Sequence, residues 1–352
     1  MSRAAVGVLA AWLVLPPGGP SGPAAAERAA ALAAISPELG FTAEDWAAVD
    51  AGRAVARVLD SDAREVAVAG AVRIAASRER FSARLRDIEA LKRSAAVLDA
   101  GRLPPMPRAA DLAAAPLEEY SLDLRRCRPG DCHVRLAAAD IARFHREVDW
   151  TRPDWRARSV GVWQQVLAEH AAAYVRDGRA GLPIYANKAE PLSVATELAL
   201  LVGRMRFVSA LSPAFHGYLH EFRPPVPAGS EEVLYWTKED FGIRPVFRIQ
   251  HQVMHAGAAI LVATNQVYAD HYLDASLGLT VAVDAPQGAG LYMIAINRAR
   301  TRSLSGLMRR MVRGTVQGRS RDALRTILTT TKAALERAEV APAARRLIEF
   351  QP

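Results

Sequence analysis

Apolar and polar positions near the start of the chain follow a pattern that predicts two strands, a helix and a third strand. Residues 54–59 and 65–75 combine Val, Ala and Ile with interleaved charges, which is typical of two antiparallel strands joined by a short turn. Residues 97–103 have strand character again. Between them, Ser77 is a candidate helix cap, and the apolar residues after it recur on one helical face: Phe81, Leu85, Ile88 and Leu91.

The middle of the chain changes to a helical period. Residues 104–111 are rich in Pro and have no period, which marks a boundary. Apolar positions then recur at helical spacing through residues 138–222. The individual helices are separated by three prolines, Pro183, Pro191 and Pro213. The pattern therefore predicts a mainly helical, all-α insertion at 104–230.

Strand character returns after residue 231 and ends in a long helix. The predicted strands lie at 233–236, 245–255, 259–268, 272–283 and 291–297. They form an antiparallel meander with turns at 255–257 and 285–290. A helix over about 304–339 follows, and its second half carries an apolar stripe that begins at Leu324.

This order of elements resembles the helix-grip fold of the START-like superfamily, which contains lipid-transfer and polyketide-cyclase-like proteins. Residues 66–81 with 85–88 look like the opening strand and first helix of that superfamily. Residues 291–296 with the helix at 304–339 are similar to its closing elements. The resemblance covers residues 53–103 and 231–340, and the helical insertion departs from the usual compact form.

The resemblance implies an α+β protein in which a curved antiparallel sheet grips the long C-terminal helix. The START-like domain is then formed by residues 27–103 and 231–340, with 341–352 as a tail. In such a fold the sheet curls around the helix and encloses an apolar cavity. A cavity of that kind implies binding or carriage of a hydrophobic molecule.

The first 26 residues have the features of a signal peptide. Arg3 precedes an uncharged apolar stretch at 4–15, which is the length of a signal-peptide core and too short to span a bilayer. Ala24, Ala25 and Ala26 satisfy the small-residue requirement for cleavage after Ala26. We therefore expect export to a bacterial periplasm or to the cell exterior. An uncleaved N-terminal membrane anchor is the alternative.

Two cysteines, Cys127 and Cys132, flank a turn sequence that contains Pro129 and Gly130. Such a turn brings the two sulfur atoms together, and an oxidising compartment would favour a structural disulfide. A redox-active pair is less favoured because the cysteines are separated by four residues rather than two. A zinc site with His133 lacks a second ligand pair, so no metal is predicted.

The strand at 245–255 supplies most of the candidate ligand-binding residues. Alternation places five of its side chains on one face, namely Phe247, Ile249, His251, Val253 and His255. His271 and Asp274 follow nearby in a polar and aromatic segment, where a few polar groups could converge on an apolar cavity. Ordinary hydrogen-bonded histidines and a local turn around Asp274 are the alternatives.

Charge is concentrated near the C-terminal helix of this basic protein, whose formal net charge is +8 over 352 residues. Nine Arg fall between Arg298 and Arg325 against a single acid, Asp322, interleaved with Leu, Met and Val. A basic amphipathic helix of this kind suits an anionic membrane surface, with Arg309, Arg310 and Arg313 as the central contacts. Nucleic acid is disfavoured because aromatic stacking residues are missing here. A solvated surface of an Arg-biased protein is the alternative.

Three functions remain open from the sequence. The first is an exported binding or carrier protein for a lipid or another hydrophobic small molecule. The second is a cyclase-like or hydratase-like enzyme in the same cavity, with His251, His255 or His271 as acid–base groups. The third is a cell-envelope interaction protein that acts through the helical insertion. No catalytic motif lies in its required context and no cofactor is indicated, which favours the first function.

Overall fold

The protein is a mixed α+β structure. The computed structural model describes residues 23–89, 96–241, 244–285, 290–302 and 309–345. The predicted signal segment lies outside them as far as residue 22, and Ala24–Ala26 belong to the first helix. Leu91, residues 286–289 of the predicted turn, residues 304–308 of the predicted helix and residues 346–352 of the predicted tail also lie outside the described residues.

Ten α-helices are present in the described part of the chain. They are α1 (Pro23–Leu39), α2 (Ala43–Asp50), α3 (Arg78–Arg86), α4 (Ser121–Arg126), α5 (Ala138–Glu147), α6 (Trp155–Asp177), α7 (Val194–Val202), α8 (Val208–Leu211), α9 (Pro213–Glu221) and α10 (Arg309–Arg345). Helices α4 to α9 lie in the predicted insertion at 104–230. Two short paired strands, Ile184–Tyr185 and Leu192–Ser193, also lie there, so the insertion is mainly helical but not all-α. Helix α10 continues to Arg345, so the first residues of the predicted tail are helical.

The strands form one large sheet and one short hairpin. They are β1 (Val55–Val58), β2 (Glu65–Ile74), β3 (Val97–Leu103), β4 (Ile184–Tyr185), β5 (Leu192–Ser193), β6 (Ser230–Asp240), β7 (Pro245–Ala256), β8 (Ile260–Ala269), β9 (Ala275–Asp284) and β10 (Leu291–Arg300). The large sheet has the order β1-β2-β10-β9-β8-β7-β6-β3, and its neighbouring strands are antiparallel. The described strands do not close into a barrel, because β1 and β3 form the two edges.

Helices cover both faces of this sheet. On one face, α10 packs along β1 and β2, and its Leu324, Leu328 and Leu335 join a buried cluster with the apolar side chains of β2. On the other face, α1, α2 and the insertion contribute to a larger cluster that includes Ile294 of β10. The sheet is therefore the middle layer of three, and it is apolar on both sides.

Helix α10 approaches β2 closely at Gly70. A Cβ atom built on Gly70 would lie 2.7 Å from Leu328 Cδ1 and 2.7 Å from the Val55 carbonyl oxygen. Real Cβ atoms do not reach such distances, so a glycine here lets the helix and the sheet pack together.

Strand β6 is longer than the sequence pattern predicts. The apolar run indicated only 233–236, whereas the strand extends from Ser230 to Asp240. Its additional residues include Glu231, Glu232 and Lys238, whose charges hide the strand pattern. They are held in the sheet because β6 pairs with β3 on one side and with β7 on the other.

Cys127 and Cys132 form the predicted disulfide, and their Cα atoms lie 4.3 Å apart. The turn between them is closed by two backbone hydrogen bonds that Arg128 and Asp131 exchange, at 2.9 and 3.0 Å. Gly130 adopts a φ of 83° in this turn, a conformation that favours glycine. Both cysteines are buried, so the bridge is part of the core of the insertion.

We expect the docking of α10 to depend on Leu328. Leu328 is fully buried against β2, whereas the adjacent Ile327 is 51% exposed. Leu328→Ala should lower the free energy of unfolding by about 2–5 kcal/mol, because it removes packed methyl groups and leaves a cavity. Ile327→Ala is the matched control and should cost less than about 1 kcal/mol. Urea unfolding measures both, and equal losses in the two variants would contradict this packing.

Candidate functional site

A cleft of about 500 Å³ opens between the sheet and the helical insertion. Strands β3, β6 and β7 form one wall, and α6, α9 and the segment after α9 form the other. Most of the lining is apolar and includes Leu103, Pro104, Val175, Phe222, Pro224 and Leu234. The cleft lies on the face of the sheet opposite α10. The cleft therefore does not lie in the expected position, which is beneath the C-terminal helix.

A chain of four hydrogen-bonded side chains reaches the wall of the cleft. Glu232 Oε2 lies 3.0 Å from His251 Nε2, and His251 Nδ1 lies 2.9 Å from the Tyr174 hydroxyl. Asn265 Nδ2 donates to the same hydroxyl at 3.2 Å. Glu232, His251 and Tyr174 line the cleft. We refer to Glu232, His251, Tyr174 and Asn265 as the cleft relay.

The sheet register and the insertion together assemble the cleft relay. His251 of β7 lies directly opposite Leu234 of β6, so Glu232 is its diagonal neighbour on the same face. Asn265 of β8 lies opposite His251 on the other side. Tyr174 comes from the last turn of α6, which packs over these strands.

Burial and hydrogen bonding shift the ionisation of the relay groups. The hydrogen bond from His251 lowers the pKa of Glu232 below its ordinary value, although burial opposes this. Burial raises the pKa of Tyr174 well above that of a free phenol, and burial also raises the pKa of the nearby Tyr218. At neutral pH, Glu232 is therefore a carboxylate and both tyrosines are neutral.

The other candidate residues on β7 have structural surroundings. Phe247, Ile249 and Val253 share a face with His251, as the alternation predicts, but they belong to the core beneath the insertion. His255 lies at the end of the strand, where its ring stacks on Phe215 at 5.4 Å. Its two ring nitrogens lie 3.2 Å from Ser212 Oγ and 3.0 Å from Ser230 Oγ. Of these five residues, His251 is the one that lines the cleft.

His271 and Asp274 lie away from the cleft, in the connection between β8 and β9. His271 Nδ1 is 3.1 Å from Asp270 Oδ1, and the His271 ring stacks on Tyr120. Asp274 is fully buried and forms ion pairs with Arg135 at 2.6 Å and with Arg64 at 3.1 Å. The candidate ligand-binding residues predicted from the sequence are thus divided among the cleft, the core and this connection.

A second cluster of polar side chains surrounds the buried Lys238, which the sequence analysis did not single out. Its amine contacts Glu119 and lies 2.5 Å from the Tyr120 hydroxyl. The Tyr120 ring stacks on Trp163, with ring centroids 5.2 Å apart. Burial first and Asp270 second raise the pKa of Tyr120. The Glu119 carboxylate thereby compensates the charge of Lys238, which explains how a lysine occupies an inward position on β6.

The arginines near α10 do not form one exposed surface. Arg298 and Arg300 lie on β10, where they are buried, and pair with Glu65 and Glu197 at 2.6 and 2.5 Å. Arg313 donates to the Ser61 carbonyl oxygen at 2.7 Å. The side chains of Arg309 and Arg310 lie outside the described residues. Arg298 and Arg300 therefore stabilise the interior, because acidic partners on other elements face them. The membrane-surface role of Arg309, Arg310 and Arg313 stays a prediction.

The described residues contain neither a cluster of metal ligands nor a membrane-spanning helix. Within the described ranges, no group of three or more His, Cys, Asp or Glu side chains is arranged to hold a metal ion. Among the helices that the structure describes, none combines the length and the hydropathy needed to cross a bilayer.

Comparison with known proteins adds no relative. The chain matches no protein-family model, and no curated protein matches it. The structure itself defines a class of fold. It is an α+β protein with a large antiparallel sheet and a long C-terminal helix, an arrangement loosely compatible with the helix-grip fold.

The surroundings of His255 predict a loss of stability in acid. Burial lowers the pKa of His255 below its ordinary value of 6.5. The folded protein therefore keeps this ring neutral at a pH where the unfolded chain binds a proton. The stabilisation is present above pH 6.5 and is lost as the pH falls through the folded-state pKa.

We expect His255→Gln to flatten this part of the pH dependence, because glutamine keeps hydrogen-bonding groups but does not titrate. Urea unfolding at several pH values should show a shallower fall in the free energy of unfolding below pH 6.5 in the variant. Parallel profiles for the variant and the parent would show that His255 does not carry the effect.

Proposed function

We propose that the protein binds and carries a small, largely apolar molecule in the cleft between the sheet and the helical insertion. The observation that carries this proposal is the cleft itself, which has apolar walls and one convergent set of polar groups. Its volume of about 500 Å³ falls within the range of small-molecule sites. The START-like resemblance and the signal-like N-terminus support a carrier that works outside the cytoplasm.

The lining explains why an apolar ligand would enter. Burying apolar surface is favourable by about 25 cal/mol per Å². The side chains of Leu103, Phe222 and Leu234 provide such a surface. The walls come from a paired sheet and from packed helices, so the site is formed before a ligand arrives and the cost of ordering it is small.

Blocking the cleft tests this function. Val175 is partly buried on α6 and lines the cleft, so Val175→Trp should fill part of it without entering the core. We expect the affinity for the apolar fluorophore N-phenyl-1-naphthylamine to fall by about tenfold or more, a loss of about 1.4 kcal/mol. Fluorescence titration measures the affinity, and native mass spectrometry identifies ligands retained by the purified protein.

Leu200→Trp is the matched control for this experiment. Leu200 is 50% exposed on α7 and does not line the cleft, so the same bulky side chain there should leave the affinity unchanged. Equal affinities for the parent and Val175→Trp would place the bound molecule elsewhere. Failure of the parent to bind any apolar probe would overturn the proposed function.

One observation favours an acid–base enzyme as the second candidate function. His251 lies between a carboxylate and a phenol at hydrogen-bond distance, an arrangement that can pass a proton to or from a bound molecule. No equivalent observation favours the envelope interaction protein. Within residues 138–222, the large apolar side chains that remain exposed are Ile184 and Leu200, on β4 and α7.

Hydrogen exchange tests the second candidate. In D₂O, a ketone bound in the cleft should lose α-hydrogens as protons and gain deuterons faster with the parent than with His251→Gln. Mass spectrometry of undecan-2-one after incubation measures this rate. The same rate with the parent, the variant and buffer alone would exclude proton transfer to this ketone.

A further inference from the structure

The cleft relay has a hydrogen-bonding polarity that depends on the protonation of His251. We propose that Tyr174 offers the ligand an acceptor while His251 is neutral and a donor once His251 is protonated, so that the cleft selects apolar alcohols over matched ketones at neutral pH and loses or inverts this preference in acid. This inference rests on the proposed binding function and adds the class of ligand and its pH dependence.

The direction of each hydrogen bond starts from Glu232. Its carboxylate can only accept hydrogen bonds, and its pKa is held below the ordinary value by His251. His251 Nε2 lies 3.0 Å from Glu232 Oε2, so this nitrogen carries a hydrogen and donates. In a neutral imidazole the other nitrogen, Nδ1, is then an acceptor.

The neutral ring determines which way the Tyr174 hydroxyl points. Because His251 Nδ1 accepts, the Tyr174 O–H donates to it across 2.9 Å. Asn265 Nδ2 donates to one of the two lone pairs of the phenol oxygen, at 3.2 Å. One lone pair is left, and because Tyr174 lines the cleft we infer that this lone pair faces it. A ligand that donates a hydrogen bond, such as an alcohol, satisfies it.

Protonation of His251 reverses this arrangement. Both ring nitrogens of an imidazolium donate, so Nδ1–H donates to the Tyr174 oxygen. That oxygen then accepts from His251 and from Asn265, and both lone pairs are used. The Tyr174 hydroxyl hydrogen is released from His251 and can donate to a ligand that only accepts, such as a ketone.

The groups around His251 are compatible with both states. Glu232 faces Nε2 from β6 at 3.0 Å and accepts its hydrogen in both states. Tyr174 from α6 and Tyr218 from α9 are neutral, because burial raises the pKa of each. From β8, the neutral Asn265 contributes its amide.

Arg102 contributes a positive charge to the lining of the cleft. It lies on β3, and its guanidinium donates to the Arg86 carbonyl oxygen at 2.8 Å. Further along β7, His255 is engaged by two serines rather than by the relay. Histidine changes charge between about pH 5 and 8, which sets the range to examine.

A matched pair of ligands tests the inference. Undecan-2-ol and undecan-2-one differ only in the oxygen group, and each can be titrated in competition with N-phenyl-1-naphthylamine. At about pH 8 the alcohol should bind roughly 3- to 10-fold more tightly than the ketone, the worth of one net hydrogen bond. At about pH 5 the preference should vanish or invert.

Two variants identify the groups responsible. Tyr174→Phe removes the hydroxyl and His251→Gln removes the titrating ring, so each should bind alcohol and ketone with a preference that no longer changes with pH. His255→Gln is the matched control, because it makes the same change on the same face of β7 outside the relay. It should keep the parent's pH-dependent preference.

The outcomes separate this inference from the proposed function. If the fluorophore and both ligands bind but the alcohol-to-ketone ratio is the same at both pH values, the polarity switch is wrong and the binding function stands. A ratio in His251→Gln that still changes with pH as in the parent would also overturn the switch. Suppose that neither ligand competes with the fluorophore and that Val175→Trp does not weaken fluorophore binding. The proposed binding site itself is then wrong.

Discussion

The pairing of β10 with β2 is the interaction on which the rest of the structure depends. It runs without a shift from Leu291 opposite Ile74 to Arg300 opposite Glu65, and it joins the last strand of the chain to one of the first. Arg298 and Glu65 add a buried ion pair at 2.6 Å across these strands. This pairing joins the N-terminal strands and the later meander into one sheet. Helix α10 can therefore lie on one face of that sheet while the insertion covers the other.

A sheet covered on both faces can hold a site on either of them. On the α10 side, Leu328 packs so closely on Gly70 that the helix and β2 are in direct contact. On the insertion side, α6 and α9 leave a gap over β6 and β7 near the β3 edge. The helical insertion, which departs from the compact helix-grip arrangement, therefore provides half of the candidate site.

The strands and the long helix could be predicted because their residues repeat with a fixed period. The alternation on β7 placed His251 and Phe247 on one face, and the structure does so as well. The partners of His251 could not be predicted, since Tyr174 comes from a distant helix and its position depends on how the insertion packs. Glu232 could be identified only from the strand register, because its charge interrupts the apolar pattern that would predict its strand.

When an apolar wall contains polar groups, ligand selectivity depends on which hydrogen-bonding positions are left without a partner. Within the cleft relay, His251 and Asn265 satisfy all but one of the hydrogen-bonding positions of Tyr174. A ligand that cannot pair with the remaining position removes water from it without replacing the lost hydrogen bond, which costs about 1–3 kcal/mol. That penalty rejects the wrong ligand more strongly than the matching hydrogen bond attracts the right one. An apolar cleft would bind many hydrophobic molecules alike, so under the proposed function the relay would be the feature that distinguishes among them.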